Sequence, residues 1–302
     1  MQQVLPVHWA DYYNTAQISQ GGCVHLSHLK FVLKRAAMFP FVEIFGREIG
    51  TYSLFAFLGL FICGVVITVS CKNININLED AVILILITAG GLFVGGHILF
   101  GITNFKNILS IFLNSYSFKQ VLHILIDSFG GMVFYGGFIG GAAALGIYIK
   151  CSNAQFKEYI FDIYAFSIPL FHFFGRIGCF FAGCCYGIES KFGFTVYNNP
   201  FVPEVNNVKR FPVSLLEAAL NILIFALLFF IFKKERCRNN LIFVYMLLYS
   251  VVRFCVEFLR ADIIRGVYFG ISTSQWISIV LFIIAIIKLF AVKNKNSKKV
   301  QQ

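Results

Sequence analysis

Residues 82–101 read VILILITAGGLFVGGHILFG, twenty consecutive positions without a charged side chain. Twenty residues of α-helix rise about 30 Å, the thickness of a bilayer's hydrocarbon core. A helix of that kind pairs its backbone polar groups internally and needs no water along its sides. Working outward along the chain, six comparable stretches centre on residues 53–70, 131–149, 159–180, 214–232, 241–259 and 275–292. The expected fold is therefore an all-α membrane protein, a polytopic bundle of about seven transmembrane helices. Composition points the same way: of 302 residues 58% are hydrophobic and only 13% charged, whereas a soluble domain carries about 25% charged residues. An ordinary soluble domain is excluded.

The formal net charge of +11 raises nucleic acid as a partner. The Lys and Arg residues, however, fall in short segments between apolar runs and at the C-terminus, where anionic headgroups are nearer. Membrane lipids are the expected partner, and no nucleic acid. Their distribution also orients the bundle. Lys72, Lys150, Lys157, Lys233, Lys234, Arg236, Arg238 and the tail residues Lys293, Lys295, Lys298 and Lys299 crowd into brief segments on one side. Lys106, Lys119, Lys191, Lys209, Arg210, Arg260 and Arg265 are spread over longer loops on the other. The denser side reads as cytoplasmic, so the N-terminus is expected outside and the C-terminus inside. Residues 1–40 read as an accessory extension or a misassigned start, 41–292 as the membrane domain, and 293–302 as a basic cytoplasmic tail.

Three polar motifs interrupt the apolar pattern. The first runs Gly175-Arg176-Ile177-Gly178-Cys179-Phe180-Phe181-Ala182-Gly183-Cys184-Cys185-Tyr186-Gly187. A centrally placed arginine costs about 2.5–3.5 kcal/mol on insertion scales, so it needs a partner, a wet cavity or an anionic ligand. Arg176 reads either as a phosphate-binding guanidinium or as an arginine snorkelling from a helix end. The second motif is Arg253, Glu257 and Arg260, whose spacings of four and three residues share one helical face. An Arg253–Glu257 ion pair and direct ligand contact both fit that stripe, and Glu217 and Asp162 are equally available as partners for either arginine. The third is Tyr135 between the pairs Gly130-Gly131 and Gly136-Gly137. Small residues there also suit close helix packing. With the N-terminus outside, Tyr52, Tyr135, the Gly175–Gly187 segment, the arginine stripe and Ser274-Gln275-Trp276 all fall toward the outer half of the bundle, which favours one ligand site over scattered ion pairs.

In order and spacing these motifs resemble the prolipoprotein diacylglyceryl transferase family, seven-helix enzymes of the bacterial plasma membrane. The likeness runs from about Phe45 to about Ile287. It is carried by Asp162-x-x-Ala165-x-x-x-Pro169 leading to Gly175-Arg176-x-Gly178, by Thr51-Tyr52, and by the two glycine pairs. Pro212 with Leu215 and Glu217, Arg253-x-x-x-Glu257-x-x-Arg260-x-Asp262, and Ser274-Gln275-Trp276 complete it. The resemblance implies transfer of a diacylglyceryl group from phosphatidylglycerol to the lipobox cysteine thiol of a prolipoprotein, with release of glycerol 1-phosphate and without a cofactor. It implies that Arg176 binds the phosphate, that Arg253 assists with Glu257 orienting it, and that Tyr52 and Gly187 shape the cavity. Arg176, Arg253 and Tyr135 are the candidate catalytic residues. Gly136, Gly137, Cys179 and Arg260 join Tyr52, Gly187 and Glu257 as candidate substrate-binding positions.

The chain departs from the family at the polar centre. Tyr135 stands where the family places a histidine, Cys179, Ala182 and Cys184 replace two asparagines and a glutamate, and His97 occupies a common arginine position. A phenol with a pKa of about 10 is a poor base at neutral pH. The departures keep a second reading open, a paralogue using the same or a related lipid-phosphate donor with another acceptor. A membrane thiol-redox enzyme and a transporter are the remoter readings. The absence of a Cys-x-x-Cys counts against thiol-redox chemistry, and the six histidines show no ligand spacing with the cysteines, so no metal site is expected.

Overall fold

Each of the seven apolar stretches is helical in the computed structural model, which describes residues 39–44, 46–152, 157–195, 205–236, 239–261 and 266–300. The long helices are α1 (Thr51–Asn73), α2 (Leu78–Thr103), α5 (Phe134–Cys151), α6 (Lys157–Ala182), α7 (Val213–Lys233), α8 (Leu241–Glu257) and α9 (Thr273–Val300). Among the described residues, five of them contain segments long and apolar enough to cross a bilayer: Thr51–Asn73, Leu78–Thr103, Tyr159–Ala182, Val213–Lys233 and Thr273–Val292. The chain is a mostly helical, polytopic membrane protein. Large side chains such as Phe57, Phe61, Phe93 and Phe230 point outward and are exposed, as a lipid-facing surface requires. The N-terminal extension before Phe39, the side chain of Tyr135, Asp262 and the side chains of the basic tail lie outside the described residues.

Two further helices, α3 (Phe105–Leu113) and α4 (Phe118–Phe129), follow α2 and are too short to span. Both are strongly amphipathic, the pattern of helices that lie along a membrane surface. Ser117 and Gln120 form a capping box at the start of α4.

The all-α expectation is corrected by three short antiparallel hairpins. Strands β1 (Phe41–Ile44) and β2 (Arg47–Gly50) pair directly before α1. Strand β3 (Glu189–Thr195) pairs with β4 (Lys209–Arg210) between α6 and α7, and β5 (Val267–Tyr268) pairs with β6 (Ile271–Ser272) between α8 and α9. Their physical origin is the loop backbone outside the bundle, which has no helix ladder and finds its hydrogen-bond partners in a neighbouring stretch of loop. In the last hairpin Phe269 and Gly270 both have positive φ, 53° and 81°, which matches the twist of a two-residue turn. Thr51 closes the first hairpin onto α1, its N–H donating to the Pro40 carbonyl at 2.9 Å.

Glycine sets how closely the helices approach. A Cβ on Gly95 would lie 2.3 Å from the Gly136 carbonyl oxygen, and one on Gly140 would lie 2.3 Å from that of Gly91. Helices α2 and α5 therefore touch backbone to backbone. Packing of that kind replaces the hydrophobic force that helices in lipid lack. At the contact between α1 and α6, a Cβ on Gly178 would meet Phe55 at 3.0 Å and Tyr52 at 3.3 Å. The apolar core gathers around Phe166, Leu84, Ile160, Leu228 and Leu241, all fully buried. There Asp162 accepts the backbone N–H groups of Asn239 at 2.6 Å and Leu241 at 3.0 Å. It thus holds the first turn of α8 to α6, satisfying donors that a helix start leaves open.

Candidate active site

Opposite that core, the ends of α6 and α8 meet the starts of α1, α7 and α9. Glu217, in the second turn of α7, is the hub. Its Oε2 lies 2.5 Å from Arg176 Nε, and its Oε1 lies 3.0 Å from Arg253 Nη1. Arg260 Nη1 reaches Oε2 at 3.4 Å. Arg253 also pairs with Glu257 one turn away and donates from Nη2 to Ser274 Oγ at 3.0 Å. The Glu217, Arg253 and Arg260 side chains are almost wholly buried, while Arg176 retains 21% exposure. The group comprises Arg176, Arg253 and Arg260 against Glu217 and Glu257, so three positive charges face two negative. Burial strengthens every interaction in such a group, and its excess positive charge and partly open Arg176 suit an anion.

The loop after α6 is fixed against this cluster by a left-handed turn, a geometry that favours glycine. Gly183 has φ +68°, and its N–H donates to the Phe180 carbonyl at 3.1 Å. The Cys184 N–H reaches back to the Cys179 carbonyl at 3.3 Å. This pair of bonds is a Schellman C-cap, in which a left-handed residue folds the chain over the last helical turn. It sets Cys184 above Cys179, with Cys185 beside Arg176: Arg176 Nη1 and Cys185 Sγ are 3.8 Å apart. Hydrogen bonds from Cys179 and Cys184, with the guanidiniums of Arg260 and Arg176 nearby, hold the Cys185 thiol below the ordinary thiol range. Those same thiol–thiol hydrogen bonds push the Cys184 thiol up. Further on, Gly187 bridges to Arg260, and a Cβ there would lie 2.5 Å from the Phe211 carbonyl oxygen. A small cleft beside the loop is lined by Phe180, Cys185, Tyr186, Arg210 and Ser214 among others.

The structure thus brings together Arg176, Arg253, Glu257, Arg260, Cys179 and Gly187, with Tyr52 against Gly178 at the edge. Gly136 and Gly137 are both buried against α2, where a Cβ would meet Gly95 and Leu92 respectively. Their local role is helix contact. His97 donates from Nδ1 to the Phe129 carbonyl at the end of α4, 2.7 Å away. His172 sits at a helix contact, its Nδ1 3.2 Å from the Tyr245 hydroxyl.

The family model described as prolipoprotein diacylglyceryl transferase matches residues 40–291. The chain belongs to the prolipoprotein diacylglyceryl transferase family. It is 32% identical over 246 residues to a phosphatidylglycerol–prolipoprotein diacylglyceryl transferase of Clostridium tetani, covering 81% of this chain and 93% of that protein. A relative from Clostridium perfringens bearing the same name with the numeral 2 is 31% identical over 262 residues, 85% of this chain and 96% of its own length. One from Finegoldia magna is 32% identical over 247 residues, 81% and 92% of the two chains. Against this transferase background, two residues stand out that the sequence reading did not select as site residues. Glu217 was one of two equal candidate partners, and its helix-start position opposite two helix ends was the available signal. Arg210 stacks over Tyr186, with its Cζ 4.9 Å from the ring centre, and donates to the Gly187 carbonyl at 3.2 Å. Nothing in its local sequence distinguishes it from a loop arginine.

Proposed function

We propose that this chain transfers the diacylglyceryl group of phosphatidylglycerol to the lipobox cysteine thiol of a prolipoprotein, releasing glycerol 1-phosphate. It does so as a seven-helix protein of the bacterial plasma membrane, N-terminus outside and C-terminus cytoplasmic. The observation that carries this reading is the buried cluster of three guanidiniums around Glu217, with Arg176 still partly open. The reaction is a displacement at the glyceryl carbon attached to phosphate. The thiolate sulfur forms the new C–S bond, the C–O bond breaks, and its electron pair leaves on the phosphate. Charge therefore grows on the leaving group, where fixed cations in a water-poor site are most effective.

Arg176 takes the phosphate, its planar fork suited to two phosphate oxygens. Arg253 and Arg260 supply the field behind it, and Glu217 and Glu257 hold them in place. Tyr52 and Gly187 border the cavity. Tyr135, at the position of the family histidine, hydrogen-bonds the acceptor or takes its proton if ionised beside arginine. A second reading keeps the phospholipid donor and changes the acceptor. The observation behind it is that Cys179 and Cys184 stand together where the family carries asparagine and glutamate.

The test is incubation of purified protein with labelled phosphatidylglycerol, with and without a lipobox peptide, for wild type and Arg176→Ala. Peptide-dependent release of glycerol phosphate, lost in the variant, supports the transferase. Release that ignores the peptide moves the conclusion to the second reading. No release from the wild type overturns both.

A further inference from the structure

Three thiols beside Arg176 have no task in that scheme. The sulfur atoms of Cys179, Cys184 and Cys185 all lie within 4.8 Å of one another, and those of Cys184 and Cys185 are 4.0 Å apart. Tetrahedral zinc with Zn–S bonds of about 2.3 Å places its sulfurs about 3.8 Å apart, so small side-chain rotations bring all three onto one ion. Their proximity is built by the backbone, through the left-handed Gly183 that returns Cys184 over Cys179. All three thiols are unpaired by disulfides; Cys179 is buried, Cys185 half-buried and Cys184 exposed. The cluster is therefore anchored on one side and reachable on the other. Three protein ligands with an open fourth position is the arrangement of a catalytic rather than a structural zinc site.

We propose that Cys179, Cys184 and Cys185 bind a zinc ion, and that its fourth position takes the acceptor thiol as a thiolate. Soft thiolates select zinc, cuprous ion or iron–sulfur clusters, and a polar displacement without change of oxidation state calls for zinc. A zinc ion with three thiolates carries one net negative charge, and Arg176, 3.8 Å from the Cys185 sulfur, answers it from the outer shell. The site also needs such help. A free thiol of pKa about 8.5 is only a few per cent thiolate at pH 7. Both carboxylates of the arginine cluster, Glu217 and Glu257, are engaged by guanidinium. A thiol bound to zinc is deprotonated outright.

The role of the fourth position rests on the transferase reading; the metal site does not. In the combined scheme the acceptor thiol releases its proton to solvent on binding zinc. Its sulfur then forms the bond to the glyceryl carbon as the C–O bond breaks, and the electron pair departs on the phosphate oxygen facing Arg176.

The experiment measures zinc per chain in full-length detergent-solubilised protein, then titrates the metal-free protein with Zn2+ and with Co2+. One zinc per chain is expected, with near-ultraviolet thiolate-to-cobalt absorption. Cys179→Ser, Cys184→Ser and Cys185→Ser are each expected to weaken zinc binding by roughly 100-fold or more, since even outer-shell losses cost about 10–100-fold. Cys255→Ser, at an exposed position on α8, serves as the control. A cobalt titration of the wild type without thiolate absorption overturns the site whether or not any variant folds, as does zinc content independent of the three cysteines. Adding lipobox peptide to the cobalt protein is expected to raise the thiolate absorption, and a serine-substituted peptide is not; equal responses overturn the role of the fourth position. Headgroup release is followed in parallel. Peptide-dependent release from protein that binds no metal sinks the zinc site and leaves the transferase standing. Stoichiometric zinc without any release does the reverse.

Discussion

Replacing Glu217 by glutamine keeps the shape of the hub and removes its charge. The wild-type cluster sets three guanidiniums against two carboxylates; the variant sets the same three against Glu257 alone, raising the excess from one positive charge to two. With the Glu217 side chain only 4% exposed, water cannot replace the lost carboxylate. Removing one member of a buried ion pair costs about 3–5 kcal/mol, because the partner charges remain buried. That is roughly a hundred- to several-thousand-fold in the folded-to-unfolded ratio. The assay is unfolding of the detergent-solubilised protein followed by intrinsic fluorescence, with and without glycerol phosphate. Because the variant's cluster is more positive, anion should stabilise it more than it stabilises wild type. A ligand at a hundred times its dissociation constant contributes about 2.7 kcal/mol. A Glu217→Gln protein within about 0.5 kcal/mol of wild type would refute the buried-hub reasoning, since that is the scale of a solvated surface pair. A large loss of stability with no greater gain from the anion would refute the anion-site half of it.

Other variants probe the remaining links. Arg176→Lys retains the charge but loses the planar fork, and headgroup release should fall by about 100- to 1,000-fold, the range seen for loss of one oriented donor; near-wild-type turnover would show that a point charge suffices. Gly140→Ala places a Cβ 2.3 Å from the Gly91 carbonyl oxygen and should destabilise the protein by about 1–3 kcal/mol through overpacking, read as a lower unfolding temperature at unchanged metal content. Asp162→Ala removes two acceptor contacts from the start of α8 and should cost about 0.5–2 kcal/mol, as lost helix caps do, with headgroup binding retained. In intact cells a membrane-impermeant maleimide should leave Cys151, exposed at the end of α5, unlabelled until the cells are opened; labelling before that would reverse the orientation.

What the sequence makes legible here depends on how local the determining physics is. The seven apolar stretches can be read because spanning a bilayer needs only length and the absence of charge, both properties of one segment, and each proves helical. The Arg253–Glu257 pair can be read for the same reason, since four residues on one helix are neighbours whatever surrounds them. The first and last hairpins escape because strands of two to four residues are too brief to show alternation, and β3, though seven residues long, pairs with a partner of only two residues. Helices α3 and α4 escape a search for spans because they are nine and twelve residues long, although their helical periodicity was available.

The hub is a non-local fact. Glu217 and Asp162 are equivalent carboxylates in the sequence, yet Asp162 lies in the first turns of α6 and caps α8, while Arg176 lies at the far end of the same helix. Fourteen positions along α6 separate the two, about 21 Å at 1.5 Å per residue, so Asp162 cannot reach an arginine there and Glu217, entering from the start of α7, can. The thiol cluster lies between these extremes. Cys179 and Cys184 are five residues apart, a spacing that fits neither a helical face nor a standard metal motif, and it becomes a contact only because Gly183 takes a left-handed turn. A glycine one residue after a helix end is the sequence mark of that turn, so the substitution of cysteines on both sides of it is a statement about one place in space. By the resemblance, the family's asparagines and glutamate give way there, while Arg176, Arg253 and Arg260 stay and form the buried cluster. Under the proposed transfer reaction, the retained arginines are the side assigned to phosphate and the three cysteines the side assigned to the acceptor.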